Sequence, residues 1–332
     1  MISIYHVIQF FTERGNEIIP ALQTTFDEKI IGPRAIDVAG PDHITFISSK
    51  LANNFEQLIS NTGSKVVLLE DKILDDYPRE KLLPNRTYII SNNPKKDIID
   101  FSKQFLTKKK VEKTRIHPSA IIGDNVIIGE QVDIGSNVTI EDNCLIGDRC
   151  LIGPGTVIKS QTQIGDDVWI GSCNVIGGDG FGYVKNEVTG QYDHFPHYGG
   201  VKIMNNVHIG NNTCIDRGSL KNTIIKEGVR IDNLVHIAHN VEVGRNSIII
   251  ACSMIAGSVI IEDNCWVAPG SNVRNGITLG ERSVIGLGST VTKNVEEDQT
   301  VMGNPAISIE DFLILRDEQK KTLLNHKTKL ND

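Results

Sequence analysis

Isoleucine recurs at every sixth position from Ile116 to Ile176. The series runs Ile116, Ile122, Ile128, Ile134, Ile140, Ile146, Ile152, Ile158, Ile164, Ile170 and Ile176. This spacing matches neither the 3.6-residue turn of a helix nor the two-residue alternation of a half-buried strand. Small or β-branched residues such as Val126, Val132, Val138, Cys144, Cys150, Thr156 and Val168 stand two places before the isoleucines. Glycine often follows, as in Ile122-Gly123, Ile134-Gly135, Ile146-Gly147 and Ile164-Gly165. Each hexad therefore reads as a short strand and a tight turn, with the isoleucine and the residue two before it on one side. Glycine is expected to supply a turn conformation that a Cβ would hinder. Three hexads make one triangular coil, and coils stack about 4.8 Å apart through strand hydrogen bonds. One coil alone cannot bury its isoleucines; a stack can. Each buried isoleucine then contributes roughly 1.5–3 kcal/mol.

The pattern organises the rest of the chain. It resumes at Ile203, Ile209 and Ile215, breaks phase through an insertion near Asp216–Leu220, and continues from Ile225 to Val291. The total is about 26 rungs, or roughly nine coils. Residues 1–108 lack the period and show apolar runs at 44–47, 65–69 and 88–90, with helical stretches at 2–15, 50–60 and 97–105. They read as a small α/β domain. Thr107-Lys108-Lys109-Lys110 reads as a linker. The solenoid spans 109–306, with an aperiodic excursion at 177–202 that holds Phe181, Tyr183, Tyr192, Phe195 and Tyr198. A long departure from a regular scaffold points to function. Gly303-Asn304-Pro305-Ala306 ends the solenoid, and Ser308 opens a helix within 307–332. The expected fold is thus mainly β: a parallel β-helix of hexapeptide repeats, a small N-terminal α/β domain and a C-terminal helix.

Composition excludes some functions. With 34 Lys+Arg against 41 Asp+Glu there is no nucleic-acid footprint. No apolar run reaches the roughly 20 residues of a spanning helix. The start, MISIYHVIQFFTERGNEI, shows no basic leader, so a cytoplasmic protein is expected. Cys144, Cys150 and Cys265 fall two residues before rung positions and should face the core as small apolar groups, which suits a reducing compartment.

Departures from the hexad rule are the places to look for chemistry. In Ile231-Asp232-Asn233-Leu234-Val235-His236-Ile237-Ala238-His239-Asn240, Val235 and Ile237 point inward, so His236 must point outward. His239 falls in the following turn and should also project. Two histidines, an aspartate and two asparagines on one ledge suggest acid–base work. A zinc site of His208, His236 and His239 is disfavoured: stacked ligands from one chain should differ by about 18 residues or adjoin within a turn, and His208 does neither.

The blocks IGGDGFGY, HFPHYGGV, IGNNTCIDRGSL, IDNLVHIAHNVEVG and MIAGSV, between about Ile116 and Ala306, resemble the UDP-3-O-(3-hydroxyacyl)glucosamine N-acyltransferases of lipid A biosynthesis. The resemblance implies a left-handed coil and a homotrimer with active sites between subunits. It also implies an N-terminal uridine-binding domain and a C-terminal helix near an acyl-carrier-protein site. It makes His239 the general base and the Gly257 backbone N–H the oxyanion donor. Asn233, His236 and Asn240 would line the pocket, with Phe181 and Tyr183 of the excursion. No bound cofactor or metal is implied; the carrier protein's phosphopantetheine thioester is the acyl donor. Two features depart from the family. Its second histidine, about two coils beyond the base, is replaced by Arg274-Asn275-Gly276-Ile277. Its uracil motif, Phe followed by Asn-Pro-Lys-Tyr, is reduced to Phe46 in Thr45-Phe46-Ile47-Ser48-Ser49-Lys50. The expected function is acyl-carrier-protein-dependent N-acylation of a UDP-linked amino sugar. The alternatives are an acetyl-CoA-dependent sugar N-acetyltransferase and a non-catalytic assembly protein. Arg316, Lys320, Lys321, Lys327 and Lys329 on the last helix would suit an acidic carrier protein.

Overall fold

The computed structural model describes residues 2–22, 26–106 and 112–329, the last eight of these as backbone only. The Thr107–Lys110 linker and the side chains of Lys327 and Lys329 lie outside the described residues. The chain forms two compact units, 1–110 and 111–332.

In the N-terminal unit the three apolar runs become the neighbouring parallel strands His43–Ile47, Val66–Glu70 and Thr87–Ser91. Gly32–Pro33 adds a parallel edge and Glu17–Ile19 an antiparallel one. One face is covered by the helices Ile4–Glu13 and Pro94–Phe105, whose Phe10, Phe11 and Phe101 fill the core. The other face is closed around Phe55, Ile59 and Tyr88. Phe46 sits half-buried against the first of these cores.

The second unit is a left-handed parallel β-helix whose three faces are sheets of 8, 11 and 9 strands. Ile134 pairs in parallel with Ile152, and Ile152 with Ile170. Like residues therefore stack one above another, and their side chains form a single continuous core. Ile164 pairs with Ile203 and Ile203 with Ile225. Both phase breaks are thus looped out, and the ladder continues as if they were absent. Cys144, Cys150 and Cys265 are buried in this core, and burial pushes their thiols up, Cys150 to about 11. They are inert packing groups.

The role expected of the rung glycines needs correction. The residue in the left-handed region is not the glycine but the one three places beyond the rung, commonly asparagine: Asn125 (φ 55°), Asn137 (φ 55°), Asn246 (φ 55°). Asparagine tolerates this region better than most side chains. The glycine is needed because successive turns nearly touch. A Cβ on Gly135 would lie 2.8 Å from the backbone nitrogen of Pro154, and one on Gly147 2.6 Å from the carbonyl of Gly165. One left-handed position is filled by a poor residue: Leu234 has φ 58° and is 58% exposed. Leu234→Asn should relieve strain without removing core contacts, raising stability by about 0.5–1 kcal/mol. A lower melting temperature in calorimetry would contradict this.

The solenoid closes with the hairpin Thr300–Gly303 and Ala306–Ser308. The Ser308 hydroxyl accepts the Asp311 N–H at 3.0 Å and starts the helix Ile309–Lys329. Among the described residues no helix is long and apolar enough to cross a membrane.

Candidate active site

Strand alternation sends His236 outward between Cys214 and Met254 of the adjacent coils. Two residues beyond rung Ile237 lies His239, and Gly257 and Asn275 occupy the same place in the next two coils. These side chains line a cavity of about 410 Å³ together with Phe181, Asp216, Ala238, Ala256 and Ser258. A cleft of about 470 Å³ in the N-terminal unit is larger, but its Asp97 is already held by Ser91 and Asn16.

Both phase breaks converge on His239. The aromatic-rich excursion returns through Tyr198 and Gly199, whose N–H groups donate to the carbonyl oxygens of Ser219 and Gly218 in the second insertion. Ser219 in turn binds Asn240: its N–H donates to Oδ1 at 2.8 Å, and its hydroxyl accepts from Nδ2 at 2.8 Å. Only an oxygen can accept from the Ser219 N–H, which sets the amide orientation in this state. Asn240 Nδ2 then faces His239 Nδ1 at 3.1 Å. In this arrangement Nδ1 accepts, and a neutral ring carries its proton on Nε2.

The ring is clamped by two glycines. A Cβ on Gly180 would lie 2.9 Å from both Cβ and Cδ2 of His239, and one on Gly257 would lie 2.7 Å from Cε1 and 2.8 Å from Nε2. His239 is therefore half-covered by the excursion rather than freely projecting. Burial, and second the charge of His197, hold its pKa below the ordinary value, so the ring is neutral at neutral pH. His197 is buried with its ring centre 5.6 Å from that of His239. Neither His197 nitrogen has a hydrogen-bond partner among the described residues.

The Gly257 N–H also has no acceptor among the described residues. In several other coils the corresponding N–H is capped from the next coil, as Asp124 is by the Asp142 carboxylate, Glu130 by Asp148 and Asn211 by Asn233. Asn275 would be the cap at Gly257, but it lines the cavity without a hydrogen bond to that N–H. A free backbone donor therefore sits beside a neutral imidazole.

Of the residues singled out in the sequence, the structure brings His236, His239, Gly257 and Phe181 to the cavity, with Asn240 behind His239. Tyr183 lies in the hairpin Tyr183–Lys185 and Tyr192–His194, its ring 4.9 Å from that of Phe181. Asn233 is placed at a different corner of the coil, where its Oδ1 accepts from the Asn211 N–H at 2.7 Å. Its neighbour Asp232 serves the same coil-stacking network. Phe46 belongs to the N-terminal unit. His208 lies on another face, its ring edge-on to Trp169. Among the described residues no three His, Cys, Asp or Glu side chains converge to hold a metal ion. Sequence reasoning missed Asp216, His197, Ser219 and Asn275. The signal for Asp216 was its position: it directly follows rung Ile215, where the phase breaks.

The pattern described as Bacterial transferase hexapeptide (six repeats) matches residues 143–178, 222–257 and 258–293, the second of which contains His236, His239 and Gly257. The chain is 43% identical over 149 residues to UDP-3-O-acylglucosamine N-acyltransferase 2 of Legionella pneumophila subsp. pneumophila, covering 45% of this chain and 43% of that protein. It is 34% identical over 123 residues to UDP-3-O-acylglucosamine N-acyltransferase of Albidiferax ferrireducens, covering 37% of each. The matches thus span about two fifths of the length of these curated relatives. Among solved structures, UDP-N-acetylglucosamine acyltransferase from Campylobacter jejuni superposes with a TM-score of 0.53 at 25% identity, covering 58% of this chain and 73% of that one.

Proposed function

We propose that this chain is a hexapeptide-repeat N-acyltransferase of lipid A biosynthesis. It moves a 3-hydroxyacyl group from an acyl-carrier-protein thioester to the 2-amine of a UDP-3-O-acylglucosamine. The observation that carries this reading is one cavity wall holding a neutral imidazole beside an uncapped backbone N–H. The amine attacks the thioester carbonyl, and His239 takes the proton that the nitrogen sheds. Negative charge then collects on the former carbonyl oxygen, where the Gly257 N–H stabilises it. No acyl-enzyme is required, and Cys144, Cys150 and Cys265 are buried in the core away from the cavity.

For Nε2 to accept that proton, the resting proton of His239 must sit on Nδ1. A half-turn of the Asn240 amide presents Oδ1 to Nδ1–H and keeps the Ser219 hydroxyl as a partner, but it breaks the Ser219 N–H bond and turns Nδ2 toward that donor. The cost is that of an N–H left without its acceptor, roughly 1–3 kcal/mol. Half-exposed Trp169, Trp266 and Met254 on the outer faces support a homotrimer with this cavity at a subunit seam. Exposed Arg316, Lys320 and Lys321 support docking of an acidic carrier protein.

The test is thiol release on mixing the chain with UDP-3-O-acylglucosamine and each of two donors, a 3-hydroxyacyl carrier protein and acetyl-CoA. Turnover with the carrier protein alone is expected; turnover with acetyl-CoA alone would favour the acetyltransferase reading, and silence with both would refute acyl transfer. The acid limb of kcat/KM should lie below the ordinary histidine value of 6.5, because the base is lost only as pH falls through its depressed pKa. An acid limb above 6.5 would contradict the assignment.

A further inference from the structure

Asp216 is a carboxyl group that the scheme above leaves unused. It lines the same cavity as His239, with its side chain 14% exposed. A bulge puts it there: the pairing of Val175–Gly178 with Cys214–Asp216 shifts register between Ile176 and Gly178, so that Gly178 rather than Gly177 faces Asp216. Asp216 accepts no hydrogen bond from the described residues. Its nearest basic neighbour is His236 Nε2 at 3.6 Å, beyond hydrogen-bond reach. Arg217, next along the chain, is turned away and donates to the carbonyl oxygens of Gly177 and Ser160.

We infer that Asp216 is the general acid of this site, giving its proton to the sulfur that leaves the thioester. The inference rests on the acyl-transfer reading. His239 takes a proton from the attacking nitrogen; the C–N bond forms and the C–S bond breaks. The Asp216 O–H proton goes to the departing sulfur, so that a neutral thiol leaves. The His239 imidazolium then returns its proton through solvent to the Asp216 carboxylate. Protons balance, and no further reactant is needed.

The surroundings of Asp216 support this role. Burial, and second the negative charge of Asp179 on the excursion, push its pKa up to about 7. His236, on the coil above, is held below its ordinary pKa by burial and supplies no compensating charge. On its own strand Asp216 has only the Cys214 thiol, itself pushed up by burial and by Asp216. One wall of the cavity thus favours a base without its proton and another an acid with it, which is how acid and base roles separate in one site.

The experiment uses the full chain, UDP-3-O-acylglucosamine, and two thioesters of the same acid: 3-hydroxydecanoyl pantetheine and its thiophenol analogue. Thiophenolate leaves without a proton; an alkyl thiolate leaves far less readily. Asp216→Asn should lower kcat about 10²-fold with the pantetheine donor and by less than about threefold with the thiophenol donor, with KM for the sugar unchanged. In the wild type, kcat with pantetheine should fall as pH rises through about 7, and that fall should be missing with thiophenol. The wild-type comparison stands even where the variant folds poorly. Equal losses with both donors would make Asp216 a sugar-binding group and overturn the inference, as would no loss. If the wild type released thiol neither from these donors nor from the 3-hydroxyacyl carrier protein, the acyl-transfer reading would fall with it. If instead His239→Ala were inactive while Asp216→Asn was unimpaired, only the inference about Asp216 would fall.

Discussion

Replacing His239 by alanine should lower kcat for thiol release about 10²–10⁴-fold, the range of a positioned general base. The fold should survive, because the ring lies outside the isoleucine core and stacks between two glycines. Its acceptor contact with Asn240 is lost, but Asn240 keeps both its bonds to Ser219. The melting temperature should therefore stay close to that of the parent chain. An alanine variant that retained more than about a tenth of the activity would remove His239 from the mechanism. The cavity would then be a binding site whose chemistry lies elsewhere.

Gly257→Ala is the second large effect. The Gly257 backbone lies outside the left-handed region, so alanine fits the chain itself, and the N–H donor remains. What does not fit is the new methyl group, which would meet His239 Cε1 at 2.7 Å and Nε2 at 2.8 Å. The imidazole must swing by something like an ångström, and a displacement of that size costs on the order of 10²-fold in rate. The loss should appear in kcat, with the melting temperature little changed. Gly180→Ala presses on the opposite side of the ring and on His197 Nε2, and should act in the same direction. If Gly257→Ala kept full activity, the ring would have a second productive position, and the clamp would not be part of the catalytic geometry.

These two substitutions separate two reasons for one glycine. The resemblance assigned Gly257 a hydrogen bond to the oxyanion. The structure adds a packing reason that recurs along the solenoid, where a rung glycine makes room for the next coil. At Gly257 the atoms that need the room belong to the imidazole.

The six-residue period is a local rule, and it was sufficient to determine the solenoid. Every third rung stacks because strand alternation and turn length repeat without error from Ile116 to Ile176 and from Ile225 to Val291. The same rule determined that His236 faces out, and it put His239 in a turn. Tertiary structure decided the rest. That the glycines directly after the rungs serve close approach, and the residues three past the rungs the left-handed turn, follows from the distance between stacked coils, which no single hexad contains. Asn233 and His239 are six residues apart, yet they sit at different corners of a triangle, and only His239 meets the cavity. Asp216 and the excursion that carries Asp179 and Phe181 come from two separate interruptions of the repeat. They meet because the ladder closes behind each and stacks their exits on one edge, and pairing between coils, not the order of residues within them, makes that contact.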